Sequence, residues 1–357
     1  MQPPSIEEIE TPALLVDMDA LESNIRAMAE YMKGRKARLR PHFKTHKCPT
    51  ISHMQLAAGA IGVTCAKLSE AEVLLASGIR DVLIANQIVD PQKIMRLACL
   101  ARGGARIGVC VDDSRNVDAL SEAASRAGSS LHVLVEVDVG MGRCGVAGGE
   151  EAVALAERIS RLPGLLFGGI QAYEGHVVQR PDKAERRAAV AAMVEKVGGI
   201  RELLLSRGCP VADISGGATG TYDLTGNDTI WTEIQAGSYV FMDSSYGALG
   251  LPFTHALSVL ATVIHKRPGR AVTDAGMKAC STDHGMPSLL GRPHLKVRTN
   301  EEHGIIEDPA DELRYGEKVS YLPGHCCTTV NLYDRYHCVR AGTLESVWPI
   351  SGRGRSQ

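Results

Sequence analysis

The sequence predicts an α/β protein, a closed (β/α)8 barrel over residues 20–250 followed by a small β domain over residues 251–350. Two observations predict it. Between residues 38 and 240, eight short apolar runs alternate with amphipathic stretches, and most of the runs are rich in Val, Ile and Leu, as doubly buried parallel strands are. After residue 250 the texture changes to short β-branched runs broken by Gly, Pro and charges. An open doubly wound sheet is the alternative to closure.

In chain order, residues 14–17 (Leu-Leu-Val-Asp) read as a strand before a helix that starts at Asp19. Because that helix precedes the first barrel strand, residues 11–18 are expected to pair with the C-terminal β domain. The barrel strands are predicted at 39–44, 61–67, 81–87, 105–111, 131–138, 165–173, 210–215 and 232–237. Segments between them, such as 69–75 and 182–205, carry apolar residues at helical spacing. The β domain is predicted to contain strands at 259–265, 270–274, 318–322, 336–340 and 344–348, and the Gly/Arg/Ser tail 351–357 reads as frayed.

Composition narrows the class. Hydrophobic residues make up 44% and charged residues 22% of 357, ordinary for a water-soluble globule able to bury a sizeable core. A formal net charge of −2 gives no field that would gather nucleic acid or an acidic membrane surface. Only four Phe and two Trp argue against a base-stacking surface. No run approaches a membrane span, and the first residues carry no signal-peptide pattern. Ten cysteines without paired spacing read as reduced thiols, so a cytoplasmic location is expected.

The densest chemistry lies in Arg40-Pro41-His42-Phe43-Lys44-Thr45-His46-Lys47. Neighbouring cations disfavour an ammonium, so Lys44 is a candidate amine nucleophile, against the plain alternative of a basic surface loop. In barrels the working groups sit at the C-terminal ends of strands. Those ends carry Lys44, Lys67, Asn86 with Gln87, Asp112, Asp138 with Arg143, Tyr173 with His176, Ser215-Gly216-Gly217, and Gln235 with Gly237 and Ser238. The run Ser215-Gly216-Gly217-Ala218-Thr219-Gly220-Thr221 follows the seventh strand, where barrels often bind phosphate. A glycine-rich turn alone would mean little. Together with an amine on the first strand it points to pyridoxal phosphate, whose aldehyde would take Lys44 and whose phosphate would take the loop.

His325-Cys326-Cys327 follows Pro323-Gly324. In extended chain His325 and Cys327 share a face while Cys326 turns away. An imidazole and a thiolate suit zinc better than manganese or magnesium, and two protein ligands leave positions open for water and substrate. Two buried cysteines beside a surface histidine is the competing reading.

Taken together, these blocks resemble the D-threonine aldolase and eukaryotic-type D-serine dehydratase group, which has the alanine-racemase fold. The resemblance spans nearly the whole chain. It rests on residues 11–17, 40–47, 135–146, 171–173, 215–221, 233–239, 272–276, 302–304, 323–325 and 347–349. Residues 171–173 and 347–349 look closest to 3-hydroxy-D-aspartate aldolases.

The resemblance implies that Lys44 carries the cofactor, that Arg143 lies near its ring, and that Tyr173 stands beside it. It implies further that Gly216, Gly217 and Thr219 hold the phosphate, with Gly237 and Ser238 nearby, and that His325 and Cys327 hold a divalent metal, whether zinc, manganese or magnesium. The candidate base is His176 or hydroxide on the metal, and a homodimer is implied. The activity implied is cleavage of D-3-hydroxy amino acids to glycine and an aldehyde. Aldolases of this group generally show His-x-Asp at the metal pair and dehydratases His-x-Cys, whereas this chain has His-Cys-Cys. Dehydration to a keto acid and ammonia is therefore the alternative. A non-catalytic cofactor carrier on the same barrel is more remote, because such carriers lack the β domain.

Overall fold

The computed structural model describes residues 4–227 and 229–357. Residues 1–3, part of the stretch without a signal-peptide pattern, lie outside the described residues. The chain divides into two compact units. One comprises residues 29–44, 52–237 and 355–357, the other residues 1–28, 45–51 and 238–354.

The first unit holds eight parallel strands, Arg38–Leu39, Val63–Cys65, Asp81–Ile84, Arg106–Val111, Leu131–Glu136, Leu165–Ala172, Asp213–Gly216 and Glu233–Ile234. They pair in chain order, and Arg38–Leu39 pairs with Glu233–Ile234. A parallel bridge between His42 and Thr64 closes the ring, so the closed barrel stands and the open sheet falls away. Six helices of the described residues, from Leu68–Ala76 to Tyr222–Thr225, alternate with the strands after the helix Pro49–Ala57, which is divided between the two units. Several start where the sequence signals it. Asp90 accepts the Gln92 and Lys93 N–H groups ahead of Pro91, and Asp182 accepts those of Ala184 and Glu185.

All eight strands are shorter than predicted, and at the first and the eighth the shortening matters to the site. The first ends at Leu39 rather than residue 44, because Pro41 has no N–H for a ladder, and Phe43–Thr45 turns into a 3-10 helix. The eighth keeps only Glu233–Ile234 before Ser238–Val240 turns likewise. Lys44 therefore projects from a turn, not from a strand.

Ion pairs fill part of the barrel interior. Arg40 is 2% exposed, and its Nη1 and Nη2 donate to Asp81 Oδ1 at 2.6 Å and Glu233 Oε1 at 2.7 Å. Arg106 joins Asp81 at 3.2 Å to Asp213 at 2.6 Å. Burial alone would lower the Arg40 pKa, but Glu233 and Asp81 outweigh it and raise it. Gly62 makes room for this guanidinium, since a Cβ there would stand 2.2 Å from Arg40 Nη1. Arg40 is thus a neutralised structural charge, which removes it from the set of bare cations beside Lys44.

In the second unit, Ala13–Asp17 pairs antiparallel with Leu257–Arg267 and parallel with Arg335–Arg340. The N-terminal strand thus lies between two strands of the C-terminal sheet. The strands Gly269–Thr273, Lys318–Leu322 and Thr343–Pro349 lie close to the predicted ones. Ser288–Leu289, Val297–Thr299 and Gly304–Asp308 add to them and were not signalled, being short and mixed in polarity. The tail is not frayed. Gly352 N donates to the Lys47 carbonyl at 2.8 Å, and the Gln357 oxygen accepts from Ser69 N at 3.2 Å and Ser69 Oγ at 2.8 Å. Among the described residues no helix is long and apolar enough to cross a membrane.

Candidate active site

At the strand ends of the barrel a cavity of about 190 Å³ is lined by His42, Lys44, Asn86, Arg143, Gln171, Tyr173 and Gln235, with Ala66, Ala85 and Cys144. Lys44 Nζ lies 5.4 Å and the Arg143 guanidinium carbon 5.8 Å from the centre of the Tyr173 ring. His42 Nδ1 accepts the Lys44 N–H at 3.4 Å, a local tie across the turn that carries the lysine.

Arg143 is placed by a loop whose own carboxylate builds it. Asp138 Oδ1 accepts the Gly140 and Gly142 N–H groups at 2.9 and 3.1 Å, and Val137 bridges Val146 across the loop. The backbone donors, Gly140 first, hold the Asp138 carboxyl below its ordinary value. Behind Arg143 stands Glu136, buried, with Oε1 3.9 Å from Arg143 Nη2 and Oε2 accepting from Gln87 Nε2 at 2.6 Å. Burial raises the Glu136 carboxyl, against the pull of Gln87 and Arg143. On another wall Gln235 Nε2 donates to Gln171 Oε1 at 2.7 Å and to Ser215 Oγ at 2.8 Å.

The glycine-rich segment 215–221 follows strand Asp213–Gly216. Its glycines are needed for packing. A Cβ on Gly216 would stand 2.0 Å from the Ala172 carbonyl oxygen and one on Gly220 1.9 Å from that of Val178, while Gly217 has a left-handed φ of +76°. Thr219 is buried in this loop. His176 lines neither loop nor cavity. Its imidazole packs on Gly140, and its Nδ1 is buried without a hydrogen-bond partner among the described residues.

In the second unit His325 is the N-cap of a short helix, Cys326–Val330, so residues 325–327 are not extended chain. His325 and Cys327 meet nonetheless, because the cap residue and the second helical residue lie on neighbouring edges of the first turn, and their side chains hydrogen-bond. Burial would lower the His325 pKa, but Cys327 and Asp283 raise it to about 9. His325 Nδ1 donates to Asp283 Oδ2 at 2.7 Å. The ring of His284 stacks on that of His325 at 4.1 Å. The Cys327 thiol donates to Thr45 Oγ1 at 3.4 Å, and Ser238 Oγ lies 3.9 Å from Cys327 Sγ. Cys326 is buried, and its N–H donates to Asp243 Oδ2 at 2.9 Å.

The structure therefore gathers Lys44, Arg143 and Tyr173 in one cavity, Gly216, Gly217 and Thr219 in one loop, and Ser238, His325 and Cys327 in one cluster, with Gly237 at the end of the barrel unit. Glu136, Glu174 and Asp283 support these groups and carried no sequence signal. Each acts on a partner far along the chain or through a loop, so no spacing links them.

The alanine racemase, N-terminal domain family matches residues 16–245. The chain belongs to this family. A serine dehydratase domain family matches residues 256–339 of the same alanine racemase-type chain. It is 41% identical to the 3-hydroxy-D-aspartate aldolase of Paracoccus denitrificans (strain Pd 1222), over 98% of this chain and 93% of that one. The solved D-threonine aldolase of Filomicrobium marinum superposes with a TM-score of 0.98 at 39% identity, covering 100% of this chain and 99% of the other. A D-threo-3-hydroxyaspartate dehydratase mutant solved in the metal-free form matches with a TM-score of 0.88 at 28% identity, over 97% and 98% of the two chains. Its relatives thus include aldolases and dehydratases.

The family implies pyridoxal phosphate, and the cavity suits it. Two cations, three amides and an aromatic face line it, and among the described residues no carboxylate does, which fits a flat anionic aldehyde. The donor set at His325 and Cys327 suits a divalent metal. Asp283 occupies Nδ1, so Nε2 is the nitrogen left to ligate, and imidazole with thiolate favours zinc. Asp283, His284 and His325 also offer three ligand atoms within 4.8 Å of one another. The stacked rings, 7° from parallel, aim their in-plane lone pairs side by side rather than at one point, which disfavours that set.

Proposed function

We propose that this chain is a pyridoxal phosphate- and divalent metal-dependent aldolase that cleaves D-3-hydroxy amino acids between Cα and Cβ to glycine and an aldehyde. D-Threonine, D-allo-threonine and 3-hydroxy-D-aspartate are the substrates in view. The cavity in which Lys44 and Arg143 flank Tyr173 carries the reading, and likeness to aldolases over the whole chain supplies the reaction class.

Bound pyridoxal phosphate supplies an electron sink for charge developing at Cα, and a bound divalent ion supplies Lewis acidity towards a hydroxyl oxygen. The residues do the rest. Lys44 Nζ is the amine that fixes the cofactor's aldehyde and that substrate displaces. Arg143, backed by Glu136, holds negative charge beside the ring, and Tyr173 offers a flat face. Gly216, Gly217 and Thr219 hold the phosphate, with Gly237 and Ser238 following the eighth strand. His325 Nε2 and Cys327 Sγ hold the ion, with zinc, manganese and magnesium as candidates. His176 stays the candidate base for the 3-hydroxyl proton although its ring packs on Gly140 outside the lining of the cavity. A homodimer in the cytoplasm belongs to the same proposal.

A second reading, dehydration of D-serine or 3-hydroxy-D-aspartate to a keto acid and ammonia, is favoured by one observation, the sulfur of Cys327 at the metal pair. In that branch Lys44 Nζ removes the Cα proton. Incubation with D-threonine and D-serine, with acetaldehyde and pyruvate assayed separately, tests both. Acetaldehyde from D-threonine and D-allo-threonine, with L-threonine inert, supports the aldolase. Pyruvate from D-serine supports the dehydratase. Neither product would leave a non-catalytic carrier.

A further inference from the structure

The glycine-rich segment 215–221 is tied from behind by a carboxylate that none of the site residues above includes. Tyr173 and Glu174 follow strand Leu165–Ala172, and Tyr173 lines the cavity while Glu174 is fully buried against the loop. Glu174 Oε2 accepts the Gly217 N–H at 3.0 Å, and Oε1 accepts the Thr221 and Thr225 hydroxyls at 2.7 and 2.9 Å. Thr221 Oγ1 in turn accepts the Ala218 N–H at 3.2 Å, so its single hydrogen is committed to Glu174. Donors from the loop and from helix Tyr222–Thr225 thus converge on one carboxylate, directly or through one hydroxyl.

We propose that Glu174 is the positioning residue of the phosphate loop, presetting the backbone of 215–221 for a phosphate monoester without holding the rest of the cofactor. The assignment rests on the pyridoxal phosphate reading above. The physical reason is preorganisation. A loop that must be ordered by its ligand binds it more weakly, because the ordering entropy is lost on binding. Hydrogen bonds to a buried carboxylate are stronger than neutral ones, so this anchor orders the loop beforehand. Burial pushes the Glu174 carboxyl up and the Thr221, Thr225 and Gly217 donors oppose that rise. Charge absorbed by those donors repels a phosphate less than a bare carboxylate would.

The purified protein, stripped of cofactor, is titrated with pyridoxal phosphate and separately with pyridoxal, following visible absorbance. Glu174→Ala is expected to weaken pyridoxal phosphate at least about tenfold and pyridoxal less than about twofold, the scale of one lost hydrogen bond to a charged group acting at the phosphate end alone. Glu174→Gln falls between, because its amide accepts from only one side. Thr221→Val shows the same selective loss, and Thr221→Ser, which keeps the hydroxyl, binds like the parent. Should Glu174→Ala fail to fold, the Thr221 pair decides. Equal loss for both compounds, or no loss for either in folded variants, overturns the proposal. A parent protein that binds neither compound overturns the pyridoxal phosphate reading and this inference with it, whereas a parent that binds both with unchanged variants overturns this inference alone.

Discussion

The carboxylates behind the two clusters are held differently. Glu174 and Glu136 are buried and paired within their own unit, Glu174 with Gly217, Thr221 and Thr225 and Glu136 with Gln87 and Arg143, whereas the Asp283 side chain is 39% exposed and bonds His325, Ser281 and Thr328 at the surface. Groups in the barrel are therefore set by folding itself, and their loss should disturb the fold and the cofactor together. The proposed metal pair is supported by an exposed ion pair of small intrinsic worth, and its loss should disturb the metal alone.

Lys44→Ala breaks the comparison most sharply on the barrel side. Activity should fall by about a thousandfold or more, the scale on which a reacting proton-transfer group contributes, and the visible band of the bound cofactor should vanish. Borohydride reduction of the parent followed by peptide mapping should place the label on Lys44; a label on Lys47 or Lys67 would move the site.

Arg40→Met tests whether the barrel interior depends on its ion pairs. It leaves Glu233 and Asp81 facing a hydrocarbon, a change expected to cost about 3–5 kcal/mol in urea unfolding. A variant as stable as the parent would show that these charges are dispensable filling.

On the metal side, chelation should abolish turnover while the visible band stays, since the residues proposed to hold the cofactor and the ion are different. Asp283→Asn should weaken zinc by about ten- to a hundredfold, the usual effect of removing a carboxylate behind a metal histidine, with the melting temperature unchanged. A large drop in melting temperature would erase the contrast between the two regions. Calorimetric titration of the metal-free protein gives the affinity.

The mildest change is Cys326→Ser, expected to leave metal affinity within about twofold, because the Cys326 backbone N–H bonds Asp243 whatever the side chain and a hydroxyl can still donate where the thiol did. Loss of zinc in this variant but not in Cys327→Ser would exchange the roles of the two cysteines. Cys327→Asp replaces a soft ligand by a hard one and should move preference from zinc towards manganese or magnesium.

Much of this was legible in the residues. The run around Lys44, the strand-end positions of Arg143 and Tyr173, and the glycines at 216 and 217 are local patterns, readable because strand ends collect working groups. The reasons were not always the ones the sequence suggested. Gly216 and Gly220 are required by the carbonyls of Ala172 and Val178, neighbours brought by the sixth strand–helix connection rather than by the loop itself. His325 and Cys327 meet through the first turn of a helix, although an extended chain was expected. The residue that ended the first strand, Pro41, was visible, yet the turn it forces under Lys44 was not.

By itself the sequence determined the order of eight strand–helix units, the switch to β texture after residue 250, and the residues that carry reactive groups, because hydrophobic period and side-chain chemistry are local properties of the chain. Only the tertiary structure decided which charges those residues meet. Arg40 is matched by Asp81 and Glu233, 41 and 193 residues away, the Gly217 amide by Glu174, 43 residues away, and His325 by Asp283, 42 residues away. Buried polar groups must find partners wherever the fold places them, and that choice is made by packing across the barrel and the sheet, at separations no sequence pattern encodes.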